Sequence, residues 1–491
     1  MRRVNVYCVC LILAAALVCG CAEQGIGQPT REQAAAALRK AGEFFYSEVA
    51  AHGGYVWQYS SDLTWRKGEG RADLDTIWVQ PPGTPAVGLA FLEAHEATGE
   101  RMYLDAAVAA ARALVQGQLI SGGWGYGIYF DPQKRREHMY RVDAPRSAWG
   151  PLTPPDPAGE GWHAWRRRRF KGNRTMMDDN TTQASIRLLV RVDSALAFRD
   201  DDIHEAAIYA LGSIMMAQYP IGAWSHNYDR YPSRPPDAET YPVIRASYPE
   251  SWSRTWTKDF TGCYMINDHI TPDGVEALLA AHQAYGDDRY LEAAKRGGQF
   301  LLLAQMPDPQ PAWAQQYNSE MHPVWDRAFE PPAISGWESQ GVMETLLLLY
   351  RPTGERKYLE AVARTLPYLR GSLLPDGRLA RFYELRSNRP LYFTKDYKLT
   401  YDAKEMPDHY GFAFDSRLDE IEAEYRRLAA ANPATLPDEP EPDLTDELRG
   451  EVQRIIGSMD ERGAWLGEKG LIHSQTFIDN VATLCRFIQR N

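Results

Sequence analysis

The chain has 491 residues, of which 44% are hydrophobic and 11% aromatic, enough for a large buried core. Its formal net charge of −11 argues against nucleic acid as a partner, since that would require a basic face. No zinc-type spacing of cysteine and histidine occurs, and the length allows two or three domains.

Arg2 and Arg3 precede an apolar run from Val6 to Val18, which reads as an export signal over residues 1–20. Val18-Cys19-Gly20-Cys21 resembles a lipobox in which Cys21 is the acylated residue. Cleavage there takes away two arginines and no acids, so −11 becomes −13. No later run reaches the roughly 18 apolar residues that a spanning helix needs. The expectation is a cell-envelope lipoprotein, tethered by residues 21–30 and held to the membrane through Cys21, or a secreted protein if an ordinary signal peptidase cuts nearby. Cys8, Cys10, Cys19 and Cys21 all lie in or at the end of this signal region; Cys263 and Cys485 remain, either as a pair or as two buried small apolar groups.

A helix is expected from Arg31 to Ala51. After it one unit repeats: TGERMYLDAAVAAARALVQGQLISGGW ends at Trp124, RDDDIHEAAIYALGSIMMAQYPIGAW at Trp224, and YGDDRYLEAAKRGGQFLLLAQMPDPQPAW at Trp313. A fourth copy ends at Ala380 without the tryptophan, and shorter echoes end at Trp57 and Trp465. Each unit follows another helical pattern, at Pro85–Ala97, Thr181–Ala197, Pro272–Ala284 and Gly336–Tyr350, so the repeating element is a helical hairpin. About six such hairpins joined by long, dissimilar, aromatic-rich loops predict an almost wholly helical α/α toroid, complete or partial, over residues 31–431. The recurring tryptophans are expected mostly to pack between hairpins. An acidic, proline-rich linker (432–446) and a helical hairpin (447–491) that completes the ring against the N-terminal helix follow.

The loops carry the polar material. WHAWRRRRFK (Trp162–Lys171) and Tyr228–Trp256 interleave aromatics with arginine, which suits a polyanionic glycan; the arginine run is equally a solvated loop or a contact with anionic lipid. In Pro311–Leu347, Ser335 is placed to N-cap a helix with Glu338 completing a capping-box pattern. Arg327 and Glu330 sit just before that helix, either as site residues or as an i,i+3 ion pair bracing the loop. Asp178 and Asp179 precede another helix and read equally as capping acids.

Five segments, in order, resemble the family 10 polysaccharide lyases, the pectate (pectic acid) lyases: TMMDDNTTQASIRLLVRV (Thr175–Val192), AQYPIGAWSHNY (Ala217–Tyr228), CYMINDHIT (Cys263–Thr271), AWAQQYNSEMHPVWDRAFEPPAISGWES (Ala312–Ser339) and RFYELRSNRPLYF (Arg381–Phe393). The match runs from about Gly122 to Phe412. It implies an α/α toroid and calcium-assisted β-elimination on an acidic, polygalacturonate-like polysaccharide. It places catalytic, calcium-holding carboxylates on Asp178 and Asp268, the arginine base on Arg327, and a substrate-carboxylate arginine on Arg381. Lys395 stands where the family has a second arginine, which keeps the charge and loses the planar fork. Tyr317-Asn318 replaces the family's His-Asp after Gln316, and Asp179 replaces an asparagine. Gln316, Tyr317, Glu330, Trp224 and Arg389 complete the expected substrate-binding set. Because a guanidinium is normally always protonated, the implied base needs neighbours of like charge, with calcium, Arg381 and Lys395 around Arg327; Tyr317 is the substitute acid or base if Arg327 only binds. Two other classes stay open. An α/α-toroid glycoside hydrolase would use two carboxylates, with Glu330 or Asp268 as candidates, and a non-catalytic surface glycan-binding lipoprotein would need none.

Overall fold

The computed structural model describes residues 28–148, 171–232, 235–258, 261–404, 406–431 and 444–490. The expected export signal (1–20), Cys21, the arginine run and most of the acidic linker lie outside these residues.

Among the described residues, twelve helices have twelve residues or more: α1 (Arg31–Phe44), α2 (Thr84–Thr98), α3 (Arg101–Gly117), α4 (Thr181–Ala195), α5 (Asp201–Ala217), α6 (Ile270–Tyr285), α7 (Asp288–Ala304), α8 (Gly336–Thr353), α9 (Lys357–Gly371), α10 (Leu418–Ala430), α11 (Asp446–Gly457) and α12 (Ser474–Arg490). They pair as α2 with α3, α4 with α5, α6 with α7, α8 with α9 and α11 with α12. The inner members touch in order, α12 on α2, α2 on α4, α4 on α6, α6 on α8 and α8 on α10, and α1 lies on α12 and α11. The chain's last helix thus returns to its first hairpin, and the fold is an all-α toroid of an inner and an outer layer. No helix among the described residues is long and apolar enough to cross a membrane.

Every outer helix leads into the same turn. The N–H groups of Ala51, Leu119, Tyr219, Met306, Leu374 and Asp460 donate to the carbonyls of Gly54, Gly123, Ala223, Ala312, Arg378 and Ala464. Five of these turns carry a glycine at positive φ, namely Gly53, Gly122, Gly222, Gly377 and Gly463. At Gly222 a Cβ would lie 1.9 Å from the carbonyl oxygen of Arg296, so both the backbone conformation and the space require glycine.

Two residues on, Tyr55, Trp124, Trp224 and Trp313 donate their N–H groups to hydroxyls of the inner helices, those of Thr84, Thr182, Thr271 and Ser339. The indole Nε1 atoms of Trp124, Trp224, Trp313 and Trp465 donate back to Leu114, Ile214, Leu301 and Ile455 of their own outer helices. These tryptophans therefore weld the two layers together. Trp224, expected to bind substrate, is 1% exposed and belongs to this core instead. The first unit is also in a different register from its sequence echo: its welding aromatic is Tyr55, and Trp57 lies two residues further along.

The turns then feed short antiparallel ladders, which amend the expectation of an almost wholly helical chain. Thr76–Trp78 pairs with Gly127–Tyr129, Thr175–Met176 with Asn227–Tyr228, Tyr264–Met265 with Gln316–Tyr317, and Ala333–Ser335 with Phe382–Glu384. Each ladder ties the segment entering an inner helix to the segment leaving the next outer-helix turn, so the inner-helix N-termini gather at one end. Cys263 and Cys485 are buried free thiols.

Candidate active site

The position two residues beyond each welding aromatic faces that end. Its carbonyl accepts from the start of the preceding inner helix: Ser474 donates to Trp57, Val79 to Tyr126, Met177 and Asp178 to His226, Ile266 and Asn267 to Gln315, and Gly336 to Arg381. In ring order the mouth is therefore bordered by Trp57, Tyr126, His226, Gln315 and Arg381, and the sixth position, two residues past Trp465, is Gly467.

Two turns project acids into this ring. Asp178–Asn180 and Asn267–His269 are short 3-10 segments leading into α4 and α6. Asp179 and Asn180 have φ of 51° and 57°, Asp268 and His269 of 47° and 59°. Consecutive left-handed non-glycine residues cost roughly 1 kcal/mol or more each, a strain found mainly where geometry serves a site. The N-cap positions of α4 and α6 are Asn180 and His269, and the hydrogen bonds to Asp178 and Asp179 come from the Tyr126 and Gln80 side chains, so the acids do not cap the helices. They converge instead: one oxygen from each of Asp178, Asp179 and Asp268 lies within 4.8 Å of the others.

Each carboxylate has its own surroundings. Asp178 accepts from the Tyr126 hydroxyl at 3.2 Å and lies 3.5 Å from Nδ1 of His226, whose Nε2 is 2.8 Å from Asp326. Burial opposes charge on both Asp178 and His226, yet their attraction, with Asp326 on the imidazole's far side, holds the Asp178 carboxyl below its usual range and the His226 pKa well above its own. Asp179 accepts from Gln80 at 2.8 Å, and burial together with the charges of Asp178 and Glu69 pushes it up to about 7. Asp268 is raised well above the carboxylate range by burial and by Asp178, Asp179, Glu330 and Glu338. The cluster holds more acid than its neighbours neutralise.

Beside the triad stand two arginines, each with a carboxylate of its own. Arg327 is locked to fully buried Glu330 through Nε (2.7 Å) and Nη2 (2.5 Å), and its backbone N–H adds a third bond at 3.1 Å. Glu330 also accepts from Tyr410 at 2.8 Å and Asn267 at 3.3 Å. The bracing ion pair is thus present, while Nη2 also reaches 3.5 Å from Asp268. Burial favours the neutral guanidine, but Glu330 and Asp268 outweigh it and raise the Arg327 pKa. The expected surroundings of like charge are corrected: carboxylates flank Arg327. Arg381 lies against the Tyr410 ring, donates to the Tyr410 hydroxyl at 2.7 Å and to Gly411 at 2.8 Å, and is 3.6 Å from Glu338. Ser335 caps α8 as expected, but the Glu338 side chain turns to the Ser335 hydroxyl and to Gln315.

Asp178, Asp268, Arg327, Glu330 and Arg381 are brought together; the rest of the expected set is not. Gln316 is buried with Nε2 on the Val324 carbonyl, and Tyr317 is fully buried between Ala304 and Ala314. Lys395 is exposed, 4.0 Å from Asp408, and Arg389 is exposed and stacked on Tyr401. The site instead recruits Gln80, Tyr126, Asp179, His226, Gln315, Asp326 and Tyr410. His226 and Gln315 had a signal, a constant offset of two from the repeated tryptophan. The rings of Phe329 and Tyr410 lie 5.2 and 5.8 Å from the Arg327 guanidinium, and half-buried Trp256 donates Nε1 to the neighbouring Asp326 carbonyl at 2.8 Å.

No family model and no curated protein sequence matches the chain. Among solved structures it is similar to a family 10 polysaccharide lyase from Cellvibrio cellulosa (16% identity, 70% of this chain and 97% of that one, TM-score 0.45). It is also similar to a D-mannose isomerase (14% identity, 94% and 97%, TM-score 0.47). A third likeness is to an α-1,6-mannanase from Salegentibacter sp. HEL1_6 (12% identity, 93% and 98%, TM-score 0.41).

Proposed function

We propose that the protein is a carbohydrate-active enzyme that cleaves a uronic-acid polysaccharide by β-elimination, exported and tethered through Cys21. The observation that carries this reading is the acidic triad of Asp178, Asp179 and Asp268 with Arg327 3.5 Å from Asp268. Three hard oxygen donors, two of them pushed up by burial and by one another's charge, fit a calcium ion. When bound there, calcium would draw charge from a uronate's C6 carboxylate and make its C5 proton more acidic.

The chain's own groups do the rest. A base takes the C5 proton, the C4–O bond breaks, a C4–C5 double bond forms, and the departing oxygen takes a proton. Arg327 is the candidate base, the half-exposed cation beside the triad. Neutralising Asp268 would remove one of the two charges that keep Arg327 protonated, leaving Glu330 as its orienting partner. Arg381 and Tyr410 would orient the substrate's carboxylate on the side away from the triad.

One observation favours a second reading. Asp178 and Asp179 are adjacent carboxyls driven apart, one below its usual range and one up to about 7, the pattern of a hydrolase's ionised and protonated pair. Incubation of the mature protein with a panel of polyuronides, with calcium and with chelator, separates the readings. Ultraviolet-absorbing unsaturated ends that require calcium support the lyase; reducing ends without that absorbance point to the hydrolase, and binding without either product to a glycan-binding protein.

A further inference from the structure

The ring position of the first unit is held by Trp57, in a segment that lies outside the lyase resemblance. It differs from the welding tryptophans in burial and in the partner of its indole N–H. Trp124, Trp224, Trp313 and Trp465 are at most 4% exposed and bond to their own outer helices. Trp57 is half-buried and donates Nε1 to the Gln80 carbonyl at 2.9 Å. The Trp78 ring meets it nearly edge-on, with centroids 6.3 Å apart and planes at 71°. Trp78 Nε1 in turn donates to the Gln80 side chain at 3.1 Å, and Gln80 Nε2 to Asp179 at 2.8 Å. Two indoles and one amide therefore form a rigid bracket that ends on a carboxylate of the triad.

The other four side chains at this position, Tyr126, His226, Gln315 and Arg381, are all polar, and each bonds within the site. The Tyr126 ring is tied by its hydroxyl to Asp178 and the His226 ring is buried between Asp178 and Asp326, so Trp57 is the one indole there and the one ring with no bond to a carboxylate of its own. Its neighbour in ring order is Gly467, which is exposed and has no side chain to cover it. An indole fixed through its N–H, partly exposed and linked through Gln80 to the acidic cluster, suits the apolar C–H face of a pyranose.

We propose that Trp57 is a sugar-stacking subsite that takes the pyranose adjoining the one held over Asp178, Asp179 and Asp268. This rests on the carbohydrate reading above. The test is calorimetric binding of hexasaccharides of galacturonate, mannuronate, glucuronate and α-1,6-mannose to wild type, Trp57→Ala and Trp57→Phe, with thermal melts alongside. Trp57→Ala should weaken whichever hexamer binds by about tenfold or more, and Trp57→Phe, which keeps a stacking face and the fold, by much less. Equal affinity of wild type and Trp57→Ala would overturn the subsite and leave the carbohydrate reading standing. Binding of the neutral hexamer alone, weakened by Trp57→Ala, would overturn the uronide reading and support the subsite. Absence of binding by wild type to all four would overturn both.

Discussion

The two turns that supply the acids have one backbone and two sets of side chains. Met177-Asp178-Asp179-Asn180 hangs from the carbonyl of His226, and Ile266-Asn267-Asp268-His269 from that of Gln315, with the same left-handed pair in each. Asp179 and Asp268 are equivalent, whereas Asp178 faces Asn267 across the pseudo-repeat. Each turn also has its own cation. That of the first, His226, is 3% exposed and enclosed between Asp178 and Asp326; that of the second, Arg327, has a side chain 39% exposed. A charge sealed between two partners stabilises the frame, while one that reaches solvent is available to a substrate. The repeat therefore built one scaffold twice and assigned the copies different work.

The largest effect should come from breaking that division. Arg327→Lys keeps a charge for Glu330 and so most of the stability, but should lower kcat roughly 10²- to 10⁴-fold if Arg327 is the base. His226→Ala strands Asp178 and Asp326 in the interior and should cost about 3–5 kcal/mol of stability. Steady-state kinetics and melts on both variants decide it; a rise in KM with kcat intact in Arg327→Lys would make Arg327 a binding residue only.

Next in size are the equivalent acids. Asp179→Ala and Asp268→Ala should each lower calcium-dependent turnover roughly 10²- to 10³-fold. Asp178→Asn, which gives the first turn the residue of the second, keeps an oxygen donor and should lose only about tenfold. Equal losses in all three would mean that the copies are not differentiated in this way.

Proton linkage gives a smaller, metal-specific effect. Burial and neighbouring carboxylates raise Asp179 to about 7 and also raise Asp268, so the folded state favours the protonated form of both. The Asp179 contribution is complete below the ordinary carboxylate range and is lost as pH rises through about 7. For Asp179 this is at most about 4 kcal/mol. Without divalent cations, Tm should fall between pH 5 and pH 8. Added calcium should restore more of it at pH 8 than at pH 5, and Asp179→Asn should flatten the dependence. A Tm that rises over this interval in chelator would contradict the assignment.

The helices and their hairpin order were legible because the apolar period and the Gly-x-Trp turn recur. The register of the first unit was not, since tyrosine replaces tryptophan at position 55 and Trp57 imitates the motif. Asp178, Asp268, Arg327 and Arg381 were legible as positions that meet. Their neighbours were not, because the contacts join distant segments: Gln80 reaches Asp179 across 99 residues, and Tyr410 reaches Glu330 across 80. Gln315 rather than Gln316 faces the mouth, as the offset of two from Trp313 indicates and the bonds from Ile266 and Asn267 to its carbonyl show; the resemblance points to Gln316 instead.

The smallest predicted effect concerns Tyr317, two residues beyond Gln315 in the second copy. Its hydroxyl donates to the Ala304 carbonyl at 2.8 Å and accepts the Ala314 N–H at 2.7 Å. Tyr383 does the same two residues beyond Arg381, donating to Ser372 at 2.7 Å and accepting from Ala380 at 2.9 Å. A bond pair repeated around the ring braces the turn, and burial raises the Tyr317 pKa further from any useful range. Tyr317→Phe leaves one buried N–H and one buried carbonyl without that partner, which should cost about 1–3 kcal/mol, and Tyr383→Phe should cost a similar amount. Neither should change kcat beyond about twofold, because neither hydroxyl has access to a substrate proton. Chemical denaturation and kinetics on the two variants check this together. If Tyr317→Phe folds as stably as expected but loses two orders of magnitude in kcat while Tyr383→Phe does not, Tyr317 takes part in the chemistry and the second copy contributes more to the reaction than Asp268 and its arginine.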